Sequence, residues 1–373
     1  MIGGEPPGIL DLLADWEGIG VIVRRDRPTG TWIFVVLHND TLGPATGGCR
    51  MKVYPSPVDG LADGLRLAEG MTYKWAAMDF PFGGGKSVLA TPGPLDAEAR
   101  RGLLLRFGTL LNSLGGRYGT GADLGTDSDD MRTIAEVTPY VIGVHGRSDG
   151  PMDPSPFTAL GVFAGIRASL RQRFGDDSFD GRRILVEGVG SVGSPLAQRL
   201  ADVGAVVLVA DIAEGRARAE AERLGGTWVS ADAVIGAECD VYAPCAVGAT
   251  LNVETIPRLR CGVVAGAANN QLREETDAQL LDERGILYAP DYVINAGGAM
   301  AFTLIFQGET RVPELERRVT AIERTLDSIF QESELSGLTP LEAARARVER
   351  ILARGPAGGV SSSFEDMRGH GEG

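Results

Sequence analysis

Two hydrophobic rhythms follow one another along the chain. Residues 21–23 and 31–37 are apolar, β-branched runs joined by the turn-forming Arg27-Pro28-Thr29-Gly30, and this spacing predicts two strands at the start of a sheet. From Gly60 onward, Leu61, Leu65, Ala68 and Trp75 recur at helical spacing with Asp59 as N-cap. Residues 103–114 repeat that pattern until Gly115-Gly116 ends it. Between the two helices, Gly83-Gly84-Gly85-Lys86 reads as a glycine loop entering a short strand at 87–90.

From about residue 180 the pattern becomes strand, helix, strand: 184–187, 191–202, 206–211 and 214–224. Short apolar runs at 241–243, 263–265 and 286–288 extend it, which predicts a parallel sheet covered by helices. Residues 313–330 and 340–352 predict helices, and the Gly/Ser/charge-rich end from Gly355 predicts a frayed tail. A chain of 373 residues exceeds what one core usually organises, so two domains follow, with the cleft between them as the natural ligand site.

Composition narrows the function. With 43% hydrophobic and 23% charged residues the chain is globular rather than disordered, and a net charge of −14 without a basic stripe argues against nucleic acid as a partner. Glu5, Asp11, Asp15 and Glu17 stand where a secretory leader would be basic, and no apolar run approaches membrane-spanning length. The expectation is a cytoplasmic protein without membrane contact. Cys49, Cys239, Cys245 and Cys261 lack CxxC spacing and only three histidines are present, so neither a metal site nor a disulfide framework is expected.

Gly188-Val189-Gly190-Ser191-Val192-Gly193 follows an apolar strand and opens a helix, and the next strand ends in Asp211. That context predicts dinucleotide binding, with the pyrophosphate on free N–H groups at the helix start. A structural glycine turn is the alternative. Asp211 would accept hydrogen bonds from both ribose hydroxyls and repel a 2′-phosphate, favouring NAD over NADP, unless Arg216 offsets it. Only three lysines occur in this arginine-rich chain, Lys52, Lys74 and Lys86, which marks Lys74 and Lys86 as candidates for a site rather than for the surface.

Several segments together resemble the glutamate/leucine/phenylalanine/valine dehydrogenase family, most closely its leucine and phenylalanine branch. They are Leu42-Gly43-Pro44-Ala45-Thr46-Gly47-Gly48, Met71-Thr72-Tyr73-Lys74, Gly83-Gly84-Gly85-Lys86, Thr120-Gly121-Ala122-Asp123, Gly266-Ala267-Ala268-Asn269-Asn270-Gln271 and Ala289-Pro290-Asp291-Tyr292-Val293-Ile294-Asn295-Ala296-Gly297-Gly298. The resemblance implies an α/β fold of two domains: a substrate, catalytic and oligomerisation domain over 1–147 and a doubly wound Rossmann NAD domain over 148–330. Helices over 331–354 would pack back on the first domain, and 355–373 would form the tail. It implies Lys86 and Asp123 as catalytic residues, and Lys74, Gly47, Gly48, Thr46, Gly121, Asn270 and Val293 at the substrate. The cofactor residues would be Gly188, Gly190, Ser191, Val192, Gly193, Asp211, Thr158, Asn269 and Asn295. The implied reaction is reversible NAD-dependent deamination of an apolar L-amino acid to its 2-oxo acid and ammonia, by a homo-oligomer, a dimer or a higher even-numbered assembly.

The pocket residues refine this. Where the leucine branch typically has leucine and alanine, this chain has Thr46 and Gly121, which opens space for a bulky or aromatic side chain. Trp75 either restricts that space or packs behind it. No further lysine or serine pairing suits a second carboxylate, which disfavours glutamate. The competing readings are a specialised biosynthetic enzyme acting on tryptophan or an unusual amino acid, and a non-catalytic NAD-binding module.

Overall fold

The computed structural model describes residues 8–14, 16–143, 153–246 and 248–355, so the expected tail beyond Gly355 lies outside the described residues. The chain divides into two compact units, one of residues 1–152, 303–310 and 350–373, the other of 153–302 and 311–349.

In chain order the first unit holds α1 (Ile9–Ala14), β1 (Gly20–Asp26), β2 (Thr31–Asn39), β3 (Ala45–Val53), α2 (Pro57–Ala77), β4 (Gly83–Thr91), α3 (Ala97–Asn112), β5 (Tyr118–Ala122) and α4 (Ser128–Ala135). The strands form one sheet in the order β1-β2-β4-β3-β5. β1 and β2 are the expected hairpin, closed by Gly30 at φ +70°. β2 is antiparallel to β4, whereas β3 is parallel to both β4 and β5. The period of two along β2 sorts its side chains to the two faces. Phe34 and Val36 pack with Leu61, Leu65 and Ala68 of α2, while Ile33, Val35 and Leu37 join Leu103 and Phe107 of α3 and Ile134 of α4. Covered on both sides, β4 is buried at every position.

Two local expectations are corrected here. Ser56, not Asp59, is the N-cap of α2; Asp59 sits at the third helical position and completes a capping box with it. Gly83-Gly84-Gly85-Lys86 is not a loop but the first half of β4. Its glycines permit close packing: a methyl group would stand 1.9 Å from the Asn39 carbonyl oxygen at Gly83 and 1.9 Å from Thr72 Oγ1 at Gly84.

The second unit holds α5 (Ser155–Phe174), β6 (Arg183–Glu187), α6 (Gly193–Asp202), β7 (Val206–Ala210), α7 (Glu214–Leu224), β8 (Thr227–Trp228), β9 (Val241–Pro244), β10 (Val263–Val264), α8 (Asp277–Glu283), β11 (Leu287–Tyr288) and α9 (Asp291–Ile294). α10 (Gly297–Phe306), α11 (Val312–Val319), α12 (Ile322–Ser336) and α13 (Pro340–Arg354) follow. Its six strands are all parallel, in the order β11-β10-β9-β6-β7-β8. The chain therefore runs outward from β6, returns, and runs outward again from β9. That reversal is the doubly wound switch point, where ligands meet strand C-termini.

The single helix expected over 313–330 is two, because three-residue hydrogen bonds (Ala321 N–H to Arg318, Glu323 N–H to Thr320) interrupt the four-residue ladder between α11 and α12. Of the helices expected over 331–354, residues up to 349 group with the second unit and 350–354 with the first. In the second unit Leu341 joins a core of Ala278, Leu281 and Tyr288. α5 carries Gly161 and Gly165 one turn apart, against Ile322 and Leu326 of α12. Among the described residues no helix is long and apolar enough to cross a membrane.

At Gly165 a methyl would lie 2.4 Å from Ile294 Cγ1 and 2.9 Å from Leu326 Cδ1. Alanine improves helix propensity by about 1 kcal/mol, but overpacking a core costs roughly 1–3 kcal/mol. Gly165→Ala is therefore expected to lower the urea unfolding midpoint, and a raised midpoint would refute the close-packing account.

Candidate active site

Three strands of the first unit bring its candidate residues together. β3 and β5 are paired so that Gly47 faces Thr120 and Gly48 faces Gly121, β4 flanks β3 on the other side, and Asp123 follows the end of β5. Lys86 Nζ lies 2.9 Å from Asp123 Oδ2, with the two side chains 6% and 20% exposed. Gly48 lies against both, since a methyl there would stand 2.7 Å from Asp123 Cβ and 3.2 Å from Lys86 Nζ. The Asp123 backbone is fixed as well: its N–H donates to Thr126 Oγ1, and the Thr126 hydroxyl donates to the Cys49 carbonyl.

Lys74 is half-buried in the last turn of α2. Its neighbours lie over the glycines of the sheet: Met71 Cγ would be 3.4 Å from a methyl on Gly47, and Trp75 Nε1 donates to the Thr46 carbonyl at 3.0 Å. Gly47 itself has no room, because a methyl would stand 1.8 Å from the Gly85 carbonyl oxygen. The Trp75 indole is buried against Phe80 and Phe82, so of the two readings left open by the sequence it takes the second and packs behind the strand. Thr46 is buried and its hydroxyl donates to the Pro44 carbonyl. Gly121 differs from Gly47 in having room, the nearest atom to an added methyl being the Ile142 carbonyl oxygen at 3.7 Å.

Sequence reasoning missed Arg50. Its Nε donates to Asp123 Oδ2 and its Nη1 to Asp63 Oδ2, both at 2.9 Å, while the Tyr54 hydroxyl donates to Asp63 Oδ2 at 2.7 Å. A signal was present: Arg50 stands two residues beyond Gly48 on a strand, hence on the same face. Burial alone would push the Asp123 carboxyl up, but the charges and hydrogen bonds of Lys86 and Arg50 outweigh it and hold the group well below the usual carboxylate range. Cys49, enclosed beside them, is pushed up to about 12 by burial and stays a neutral thiol.

In the second unit the glycine motif fills the turn after β6. Gly188 takes φ +89°, which a side chain rarely allows, and at Gly193 a methyl would stand 1.8 Å from the Gly188 carbonyl oxygen. Gly190 faces open space, Ser191 is exposed, and Val192 caps the start of α6. A phosphate group can therefore approach backbone N–H groups there. The Asp211 carboxylate follows directly after β7 and accepts the Val189 N–H at 3.1 Å and the Ala213 N–H at 2.8 Å. A carboxylate has about four acceptor sites, which leaves roughly two for hydroxyl donors. Arg216 lies 3.7 Å from Asp211 and is largely exposed.

Beyond β10, Asn295 Nδ2 donates to Asn269 Oδ1 at 2.8 Å and to the Ala267 carbonyl at 3.2 Å. Asn295 is 6% exposed, yet its Oδ1 has no hydrogen-bond partner among the described residues. Such an orphaned acceptor costs about 1–3 kcal/mol and fits a ligand N–H donor such as a carboxamide. Asn270 takes a left-handed φ of +51°, and Thr158, in the first turn of α5, packs against Gly298. Val293 is wholly enclosed. The turn, the open Gly190, the Asp211 carboxylate and the orphaned acceptor together fit a dinucleotide.

Residues 26–140 match the family described as Glu/Leu/Phe/Val dehydrogenase, dimerisation domain, and residues 214–332 match Glutamate/Leucine/Phenylalanine/Valine dehydrogenase. A leucine dehydrogenase of Thermoactinomyces intermedius is 40% identical, with 92% of this chain and 93% of that protein covered. A phenylalanine dehydrogenase of Lysinibacillus sphaericus is 38% identical, covering 94% and 92%. Among solved structures, L-tryptophan dehydrogenase from Nostoc punctiforme superposes with a TM-score of 0.78 at 34% identity, over 93% of this chain and 99% of that one.

Because the folded Asp123 carboxyl is held below its unfolded value of about 3.9, it stabilises the fold above that pH, and the contribution is lost as pH falls through the folded value. Asp123→Asn should lower stability most at neutral pH, with the difference from wild type shrinking below about pH 4. Urea titrations at pH 7, 4 and 3 measure this, and a difference that grows on acidification would contradict the assigned ion pair.

Proposed function

The chain belongs to the glutamate/leucine/phenylalanine/valine dehydrogenase family, and from that premise we propose that it catalyses the reversible NAD-dependent oxidative deamination of a bulky apolar or aromatic L-amino acid to the 2-oxo acid and ammonia. It is an oxidoreductase of the amino-acid dehydrogenase type and uses a nicotinamide cofactor. The observation that carries the reading is the buried Lys86–Asp123 pair set against Gly48. We assign residues 1–147 to substrate binding and assembly and 148–330 to the cofactor, with homo-oligomerisation supported by the dimerisation-domain match.

Gly188, Gly190, Ser191, Val192 and Gly193 would hold the pyrophosphate, Asp211 the ribose, and Thr158, Asn269 and Asn295 the nicotinamide end. When bound, the nicotinamide supplies the hydride acceptor for the substrate Cα. The Lys74 ammonium and the backbone at Gly47 and Gly48 hold the substrate carboxylate, so that the amino group meets Asp123. Asp123 accepts a proton from the substrate ammonium, and loss of the Cα hydride leaves an iminium. Lys86, in its neutral form, takes a proton from the water that attacks this carbon. Asp123 then returns its proton to the amine, which leaves as ammonia while the C=O bond forms and the hydroxyl proton passes to the Asp123 carboxylate. Asn270 and Val293 complete the substrate contacts in this reading.

The space at Gly121 and the retreat of Trp75 behind β3 support a large side chain. Tryptophan falls within that class, and the similarity to a tryptophan dehydrogenase keeps a specialised biosynthetic substrate as the second reading.

With NAD, phenylalanine, tryptophan or leucine should give a higher kcat/KM than valine, alanine or glutamate, and Gly121→Ala should shift preference toward smaller side chains. Preference for alanine or valine in the wild type would refute the pocket reading. Lys86→Ala and Asp123→Asn should each lower kcat by at least about a hundredfold with NAD affinity kept, whereas Lys74→Ala should chiefly raise KM. Near-wild-type turnover of either of the first two would sink the mechanism.

NAD should outperform NADP, and Asp211→Ala should narrow that gap. Steady-state kinetics with both cofactors decide it, and equal or better kcat/KM with NADP would contradict the role of Asp211.

A further inference from the structure

Asp123 has two cations, and the proposed chemistry uses up one of them. Arg50 Nε and Lys86 Nζ both make their close contact with the same carboxylate oxygen, Oδ2, at 2.9 Å. Oδ1 is then the oxygen offered to an incoming group. Lys86 must be neutral to take a proton from water, and at that stage its positive charge no longer supports Asp123. Arg50 does not deprotonate in a protein, so its charge persists.

The anchoring of Arg50 is equally specific. Its guanidinium spans two carboxylates, Nε to Asp123 and Nη1 to Asp63, with a side chain 13% exposed. Asp63 also accepts from the Tyr54 hydroxyl and from Arg66. The Tyr54 ring lies beside Gly60 of α2, a methyl there standing 3.4 Å from Tyr54 Cδ2. A lysine carries its charge on one nitrogen and lacks this fork, so it cannot reproduce both bonds. The titratable groups around Asp123 are Lys86 on β4, Cys49 and Arg50 on β3, Tyr118 on β5, and Asp63 with Tyr54 behind Arg50. Burial raises both Cys49 and Tyr118, which remain neutral, so positive charge comes only from Lys86 and Arg50 among these.

Resting on the proposed deamination, we infer that Arg50 is a positioning residue that holds Asp123 by Oδ2 with Oδ1 toward the substrate ammonium, and keeps that carboxylate ionised while Lys86 is neutral. Asp63 and Tyr54 act on the reaction only through Arg50.

The experiment compares Arg50→Met, Arg50→Lys and Asp63→Asn with wild type in the full-length protein. Arg50→Met should lower kcat about a hundredfold and move the acidic limb of the kcat/KM profile upward by about one pH unit or more, with NAD affinity unchanged. Arg50→Lys should keep the limb near its wild-type position yet lose about tenfold in kcat, because charge is retained and geometry is not. Asp63→Asn should lower kcat without moving the limb. A wild-type profile and a kcat within about twofold of wild type in Arg50→Met would overturn the inference. If Arg50→Met does not fold, the other two variants decide: wild-type kcat in Arg50→Lys overturns it. Infrared difference titration of the Asp123 carboxyl, identified by its loss in Asp123→Asn, reads the same support without turnover. Inactivity of the wild type on every amino acid would defeat the proposed reaction, whereas an unshifted Asp123 titration in a folded Arg50→Met protein defeats the role of Arg50 alone.

Discussion

A lysine ammonium within a strand that is buried along its whole length must meet a counter-charge there or lose its proton. Removing a charge from water costs several kcal/mol per ion, and the attraction of a partner offsets this only when the geometry is good. Much of the first unit can be understood from that demand at Lys86. Gly48 gives up a side chain so that Lys86 and Asp123 can meet above it, and Thr126 fixes the turn that carries the aspartate. Two apolar residues of similar volume would commonly be as stable or more so. The pair is therefore poorly explained by its contribution to folding alone, which is in keeping with the proposed chemistry.

Glycine serves three separate purposes in this chain. On β3 and β4 it removes a side chain so that α2 and a neighbouring strand come close, as Gly47 and Gly84 do. At Gly188 it takes a backbone angle that other residues avoid. On α5 it forms a notch for another helix. The first purpose brings α2, which carries Lys74, over β3 and β4, and the second shapes the turn after β6.

These differences set how much could be read from sequence. The hairpin at β1 and β2 and the parallel strands β6, β7, β9, β10 and β11 were legible because apolar runs alternate regularly with polar turns, whereas the two-residue β8 was too short to show. β3 and β5 gave no signal, since Ala45-Thr46-Gly47-Gly48 and Tyr118-Gly119-Thr120-Gly121 are too small and too glycine-rich to show a strand pattern. The segment Gly83-Gly84-Gly85-Lys86 read as a loop for the same reason, although each residue of it is buried in β4. Lysines were conspicuous because they are rare here, whereas Asp123 was marked only by the family resemblance. Arg50 was hidden among many arginines, and its bonds to Asp123 and to Asp63 on α2 are what distinguish it. The break between α11 and α12 has no proline or glycine to announce it.

The hydrogen bond from Trp75 to the Thr46 carbonyl separates two properties that a pocket residue usually combines. The main chain of Thr46 is tied to α2 through the buried Trp75 indole, while its side chain bonds to the nearby Pro44 carbonyl. Exchanging that side chain costs one local hydrogen bond and leaves the tether in place. In the proposed pocket, variation at Thr46 would therefore leave the main-chain bond beside Gly47 and Gly48 in place. Under that proposal, the position is one where descendants of one catalyst could diverge in diet while keeping their chemistry.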